Sequence, residues 1–486
     1  MDAPKGLFEA VSVGDEGESA GGDNSSENDS ATDDRDVVKG DDSDDDDNDD
    51  NGDVGTEQDS EPYDAGDDDD NNDDNDNDVE LPDAADEDIE ESDDIEDSGY
   101  EDDAESDAGD NADDDDATPP LEETEFRGVW VTRWDYKSKA DVERIMDDVA
   151  GAGFNAVMWQ VRGVADAYYR SNYEPWASGL SGTLGKDPGW DPLAVAVEEA
   201  KERGLEIHAW LNTFTAWSGS NPPSASSPPH ILYEHPEYRQ ADTSGTPMPF
   251  GGSGYVFVSP GIPEVQQHII NVVLDIAENY DIDGIHFDYI RYAGAQYSHD
   301  AISKARYEEA KAKTPSLTFE DWQRNELTNF VANAYAELIA LRPSLVVSAA
   351  VWGIYKEVFG WGGTSQGFYD YYQDSHRWVQ EGIIDVICPM IYWRMTNPKG
   401  GWTDFATLVD DFIAKSGERF IYPGINGDLG ISEIKKQIEY TREAPTYGNV
   451  IFAYSYLFEG DFFDDLLSSV YSEPAPTPPM NWKPKK

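Results

Sequence analysis

From Phe126 onward, short runs of β-branched and aromatic residues alternate with stretches whose apolar positions recur at helical spacing. Eight β-rich runs stand out, at 126–134, 155–163, 206–214, 283–292, 345–353, 384–393, 419–426 and 449–456. Between the first two, apolar Val142, Ile145, Met146 and Val149 predict a helix over 138–152, with Ser138 as its cap. A second helix over 192–203 opens on Asp191-Pro192 and stops at Gly204. Helices over 263–280 and 326–341 follow, the latter closed by Arg342-Pro343, with weaker ones near 370–381, 403–416, 431–443 and 461–470. Eight strands alternating with helices imply a parallel sheet, and eight is the number that closes into a (β/α)8 TIM barrel. The alternative, an open doubly wound sheet, lacks its usual Gly-x-Gly-x-x-Gly after the first strand. Two long insertions, 215–262 and 293–325, leave the C-terminal ends of the third and fourth strands, where barrels place their active sites.

Charge divides the chain in two. Of 103 acidic and 33 basic residues, 56 acidic and only three basic ones (Lys5, Arg35, Lys39) fall in 1–125. That stretch has too little apolar area to offset the entropy of ordering, so it is expected to be a disordered acidic tail or spacer. Within it, Asp47, Asp49, Asn51 and Gly52 echo a calcium loop, but Gln58 stands where the loop needs Glu. The remaining divisions are the barrel, 126–472, and a Pro-rich tail, 473–486, with no room for a further domain. The acidic surface argues against a nucleic-acid partner, which requires clustered Lys and Arg. No run is long and apolar enough to span a bilayer. The start shows neither a basic region nor an apolar run, so no signal segment is visible. The single cysteine, Cys388, lies in an apolar run and reads as a buried packing thiol.

Candidate chemistry follows from position, because polar side chains at strand C-termini face a cleft above a packed interior. The fourth strand ends Asp283-Gly284-Ile285-His286-Phe287-Asp288, and alternation puts His286 and Asp288 on one face with Asp288 nearer the rim. A carboxylate there suits a nucleophile, a general base or a stabiliser of an oxocarbenium-like transition state, unless it merely pairs with Arg291 or Arg162. Arg162 ends the second strand. Asp166 and Glu174 follow it among Tyr168, Tyr169, Tyr173 and Trp176, an apolar setting that raises a carboxyl pKa as a general acid requires, unless either caps a helix or pairs with Arg162. Asn212, His286, Trp352, Tyr392, Asn426 and Tyr454 complete the expected substrate-binding set, the aromatics suiting the apolar faces of sugar rings. No His-x-His pair or His-Glu-x-x-His is present, so neither a metal nor a cofactor is expected, and a zinc deacetylase barrel is disfavoured.

These residues resemble a known family, the glycosyl-hydrolase-like family-ten proteins of the bacterial envelope. The resemblance spans essentially 126–458. It rests on RGVWV at 127–131, QVRG at 160–163, EPW at 174–176, RGLEIHAWLN at 203–212, DGIHFDYIRY at 283–292 and ICPMIYW at 387–393. It implies a TIM-barrel glycosidase in an extracytoplasmic setting, with a lipid anchor on the unprocessed chain. It also makes peptidoglycan glycan strands lacking stem peptides the first expected substrate. Carried over by motif, Asp288, Arg162, Asp166, Glu174, Asn212 and Tyr392 are the implied cleft residues, with Asp288 as nucleophile or base and Glu174, then Asp166, as acid. The chain departs from the family in ending its third strand Asn-Thr-Phe rather than Asn-Pro-Tyr, and in carrying Pro-Met where Pro-Gln is commoner in the sixth. DGIHFD is also similar to the fourth-strand motif of the α-amylase clan, but no Glu ends the fifth strand. The chitinase acid would fall on Ile290. Two readings of other classes stay open: a non-catalytic glycan-binding barrel, and a surface-display protein whose acidic tail is the functional part.

Overall fold

A computed structural model describes residues 124–484, apart from 253 and 397–402. The acidic tail and its calcium-loop echo at 47–58 lie outside the described residues. The eight runs form eight strands: β1 (Phe126–Val131), β2 (Ala156–Arg162), β3 (Glu206–Asn212), β4 (Gly284–Asp288), β5 (Val346–Trp352), β6 (Val386–Met390), β7 in two pieces (Phe420–Ile421 and Gly424–Asn426) and β8 (Gly448–Phe452). Each pairs in parallel with its sequence neighbours. β8 pairs with β1, with Gly128 opposite Val450, and the second piece of β7 reaches β6 through Gly424 and Met390. The sheet is therefore a closed (β/α)8 barrel.

Alternation sorts the side chains. Phe126, Trp130, Met158, Trp210, Cys388 and Tyr422 point inward and fill the interior. Val129, Trp159, Ile207 and Ile285 point outward, against the helices. Cys388 is fully buried there, and burial pushes its thiol well up, as a packing residue requires. The main helices are α1 (Lys139–Gly151), α2 (Pro192–Glu202), α3 (Pro263–Asn279), α4 (Ala301–Lys313), α5 (Phe319–Leu341), α6 (Ser375–Gln380), α7 (Phe405–Ile413), α8 (Ile431–Glu443) and α9 (Tyr454–Glu459). Ser138 and Asp191 cap α1 and α2 by accepting from the N–H groups of Asp141 and Ala194.

Three departures from the expected pattern have local causes. Helix α4 lies inside the second insertion and buries only Ser303 and Tyr307, so it carries almost no apolar stripe to announce it. Helix α5 begins at Phe319 rather than 326, because Thr318 caps it and its first buried turns include Gln323, Arg324 and Glu326. β8 ends at Phe452 and Tyr454 opens α9, so the eighth β-rich run continues from a strand into a helix.

The C-terminal tail is a strap across the N-terminal ends of the strands. The backbone carbonyls of Glu473, Ala475 and Pro476 accept from Arg127 Nη1 (2.8 Å), Asn155 Nδ2 (2.8 Å) and the Glu125 N–H (3.0 Å). Trp482 Nε1 donates to Asp385 Oδ1 at 2.7 Å, and Lys483 Nζ pairs with Asp385 Oδ2 at 2.8 Å. Asp385 is fully buried, so removing its cation leaves a buried charge short of its partner. Lys483→Met is expected to lower stability by about 3 kcal/mol in urea unfolding.

Candidate active site

Asp288 is the last residue of β4, where the packed interior ends. It is 8% exposed, and burial pushes its carboxyl up to about 6 against the Tyr289 N–H, the Arg291 cation and the Trp210 indole, which favour the charged form. The Tyr289 N–H donates to Oδ1 at 2.6 Å, and the Trp210 indole N–H approaches without closing a hydrogen bond of ordinary geometry. Among the described residues Asp288 forms no ion pair, so neither Arg291 nor Arg162 neutralises it. Tyr289, the next residue, sits at φ +45°, a conformation that a bulky side chain rarely adopts. The Asp288 carbonyl accepts from the Thr213 N–H at 2.7 Å, tying the ends of β3 and β4 together.

Arg162 and Glu174 meet, but not in the cleft. Both side chains are 1% exposed. Arg162 Nε donates to both carboxylate oxygens (3.0 and 2.8 Å), and Nη2 adds a third bond at 2.8 Å. Arg162 Nη1 binds the carbonyls of Asn212 and Thr213, and His268 Nε2 on α3 lies 3.0 Å from Glu174. Burial alone would raise the Glu174 pKa, but the Arg162 guanidinium and His268 outweigh it and hold the group at about 2. Of the two readings open for Glu174, the structure forms the ion pair with Arg162 in place of the raised pKa, and the pair pins the loops after β2 and β3. Asp166 is buried at the turn after β2, where its Oδ1 accepts from the N–H groups of Gly163 (3.3 Å) and Val164 (2.9 Å).

Three further residues of the expected substrate-binding set have their side chains engaged elsewhere. His286 is fully buried inside the barrel. Its Nε2 accepts from Trp130 Nε1 at 2.9 Å, which leaves the proton on Nδ1, 2.8 Å from Ser348 Oγ. Burial, helped by His208, pushes its pKa down to about 3, so it is a neutral bridge with both nitrogens in use rather than a substrate contact. Tyr454 is buried against α1, and its hydroxyl lies 2.6 Å from Asp148 and 2.5 Å from Arg144 Nη1. Asn426 turns its side chain back to accept from the Asp428 N–H at 2.9 Å.

The remaining candidates stay at the rim. Asn212, opposite Asp288 in register, accepts from Gln160 Nε2 at 3.0 Å. Gln160 Oε1 in turn accepts from Arg133 Nη1 at 3.0 Å, and Arg133 Nη2 reaches the Tyr255 hydroxyl at 3.0 Å. Sequence reasoning missed Arg133. The only signal was Gly163, where a Cβ would lie 2.5 Å from the Arg133 side chain, so the glycine of QVRG clears its path. Arg133 lies 4.0 Å from the ring of Trp134, which is 52% exposed and offers a stacking surface. Tyr392 stacks on Phe452 and feels the Asp288 charge, and Trp352 at the end of β5 donates to the Ser365 carbonyl at 2.7 Å. Arg291 lies within 4.5–5.1 Å of the rings of Tyr371, Tyr289 and Trp352.

A closed parallel barrel with a buried carboxyl at the end of β4, framed by aromatics and guanidinium groups, defines a glycosidase-like class of protein. The comparisons make this particular. Residues 125–413 match the family model described as glycosyl hydrolase-like 10, and the chain belongs to that family. It is similar to the glycosyl hydrolase YngK of Bacillus subtilis, 29% identical over 74% of each chain. It is also similar to the glycosyl hydrolase DigH of Escherichia coli, 26% identical over 70% of this chain and 85% of that one. Among solved structures, the PgaB glycoside hydrolase domain of Bordetella bronchiseptica superposes with a TM-score of 0.52 at 15% identity, covering 71% of this chain and 98% of that one. The catalytic domain of a Paenibacillus polymyxa β-amylase gives 0.51 at 13%, covering 72% and 99%. At such identities these two share the fold.

Glu174→Gln is expected to lower unfolding stability by about 3 kcal/mol, because it leaves Arg162 buried without its counter-charge. Urea melts read this directly; a proton donor would show the opposite pattern, an unchanged midpoint with turnover lost.

Proposed function

We propose that this chain is a glycoside hydrolase whose polysaccharide substrate lies across the C-terminal rim of the barrel, with Asp288 as nucleophile or general base. The observation that carries the reading is the state of Asp288, a buried carboxyl at the fourth-strand rim that ionises near pH 6 and has no ion-pair partner among the described residues. As a nucleophile its oxygen attacks the anomeric carbon while the leaving oxygen takes a proton, and water then cleaves the ester; as a base it takes a proton from the attacking water. With Glu174 engaged by Arg162, Asp166 is the partner carboxyl in this reading. Arg133, Asn212, Tyr392, Trp134 and Trp352 bind and orient sugar rings.

The first substrate we propose is peptidoglycan glycan freed of its stem peptides, and the setting is extracytoplasmic, with a lipid anchor on the unprocessed chain. The family-ten resemblance is what suggests this substrate and setting; the two relatives named glycosyl hydrolases support the glycosidase reading alone. Among the described residues no helix is long and apolar enough to cross a membrane. The second reading, a glycan-binding barrel without turnover, draws on the fifth strand, which ends in Trp352 rather than a glutamate.

Asp288→Asn should abolish turnover while glycan retention survives, and wild-type kcat/KM should rise with pH through about 6 as the carboxyl ionises. Equal activity in both proteins on every glycan would contradict the assignment. Stability carries the same signature with a worked sign. The folded pKa lies above the usual carboxylate value, so the stability Asp288 contributes is present only at low pH and is lost as pH rises through about 6. Asp288→Asn should therefore melt higher than wild type at pH 8 and converge with it near pH ~3.

The role of Asp166 is read from leaving groups. Asp166→Asn should slow hydrolysis of unactivated glycosides by roughly 100-fold or more and that of nitrophenyl glycosides far less. A uniform loss across both would assign it to binding instead.

A further inference from the structure

Arg291 stands apart from the other rim cations. Acidic residues outnumber basic ones 47 to 30 over 126–486, and the other two rim guanidinium groups described above have their donors engaged: Arg162 by Glu174, and Arg133 by Gln160 and the Tyr255 hydroxyl, each at 3.0 Å. Arg291 has no carboxylate within salt-bridge distance among the described residues. Its Nε is buried without a hydrogen-bond acceptor. Three rings hold it instead, Tyr371 at 4.5 Å, Tyr289 at 4.9 Å and Trp352 at 5.1 Å. Rings stabilise the cation through their faces and fix the plane of the guanidinium, but they satisfy none of its in-plane N–H donors. A donor taken from water and left unmet costs free energy until a ligand supplies the acceptor. The cage joins the end of β5 to the segment just after β4, three residues beyond Asp288, and the Arg291 charge acts on the Asp288 carboxyl.

We propose that Arg291 is a specificity residue that receives the carboxylate of an acidic sugar in the cleft. A planar guanidinium in a fixed orientation matches a carboxylate with two parallel N–H bonds, which a neutral sugar hydroxyl does not reproduce. The inference rests on the glycosidase reading and narrows its substrate to glycans with a free carboxylate beside the ring. Two sources share that chemistry: the lactyl ether of muramic acid, whose carboxylate is free only where the stem peptide has been removed, and the C5 carboxylate of a uronic acid.

The test compares peptide-free peptidoglycan strands with the same strands after their carboxyl groups are reduced to alcohols, and a polyuronide with its carboxyl-reduced counterpart. Wild type should prefer the carboxylated member of one pair by at least about tenfold in kcat/KM, through KM. The pair that shows the preference names the source. Arg291→Gln should bring that ratio near unity. Arg291→Lys, which keeps the charge and loses the fork, should fall between, with melting temperatures confirming that both variants fold. If both members of a pair lose activity together in Arg291→Gln and the ratio stands, Arg291 serves Asp288 only and the proposal fails. If wild type shows no preference in either pair, it fails as well. Should wild type hydrolyse nothing, the glycosidase reading is what has failed. Retention of carboxylated over reduced polymer, measured with and without Arg291→Gln, then still decides the anion site.

Discussion

A closed barrel gives a buried charge very few places to sit. Side chains from alternating positions fill its interior, and polar groups within it must be satisfied internally, as His286 is by Trp130 and Ser348. The end of a strand is where that packing stops, and Asp288 occupies the last position of β4. Two carboxyl groups in this molecule show what decides their behaviour. Glu174 and Asp288 are both buried, and burial pushes both pKa values up. A guanidinium fork locked onto Glu174 overrides the effect and leaves it at about 2, while Asp288, with Arg291 held off by aromatic rings, stays near 6. The same residue pairing, made in one place and withheld in the other, separates a structural ion pair from a buried carboxyl with no counter-ion among the described residues.

The architecture was largely legible in the sequence because its signals are local. Seven of the eight strands fall within their β-rich runs and the eighth starts one residue before its run, at Gly448, while Ser138 and Asp191 cap the helices that their positions foretold. Errors gathered where local pattern and tertiary environment disagree. Helix α4 lacks an apolar stripe, and α5 buries polar side chains in its first turns, so periodicity is silent on both. Tyr454 sits past a strand whose apolar run continues into a helix.

The site was legible in position more than in role. Period-two alternation located Asp288 at the rim but placed His286 on the same face without revealing that both its nitrogens are taken. The aromatic surroundings of Glu174 suggested a raised pKa. An ion pair with Arg162, twelve residues earlier, was the alternative the sequence left open, and it could not be decided locally because the contact depends on how the loop after β2 closes. The chain from Arg133 through Gln160 to Asn212 joins three strand ends that lie far apart in sequence, and its only local trace is the glycine at 163.

The two ends of the barrel differ, the strap crossing one and the candidate cleft occupying the other. The most direct measurement of the central claim is mass spectrometry of peptide-free peptidoglycan strands incubated with the purified protein in 18O-labelled water. The account predicts new reducing ends that carry the label with wild type and none with Asp288→Asn. Intact strands retained by both proteins, with no labelled ends from this or any other glycan, would contradict it.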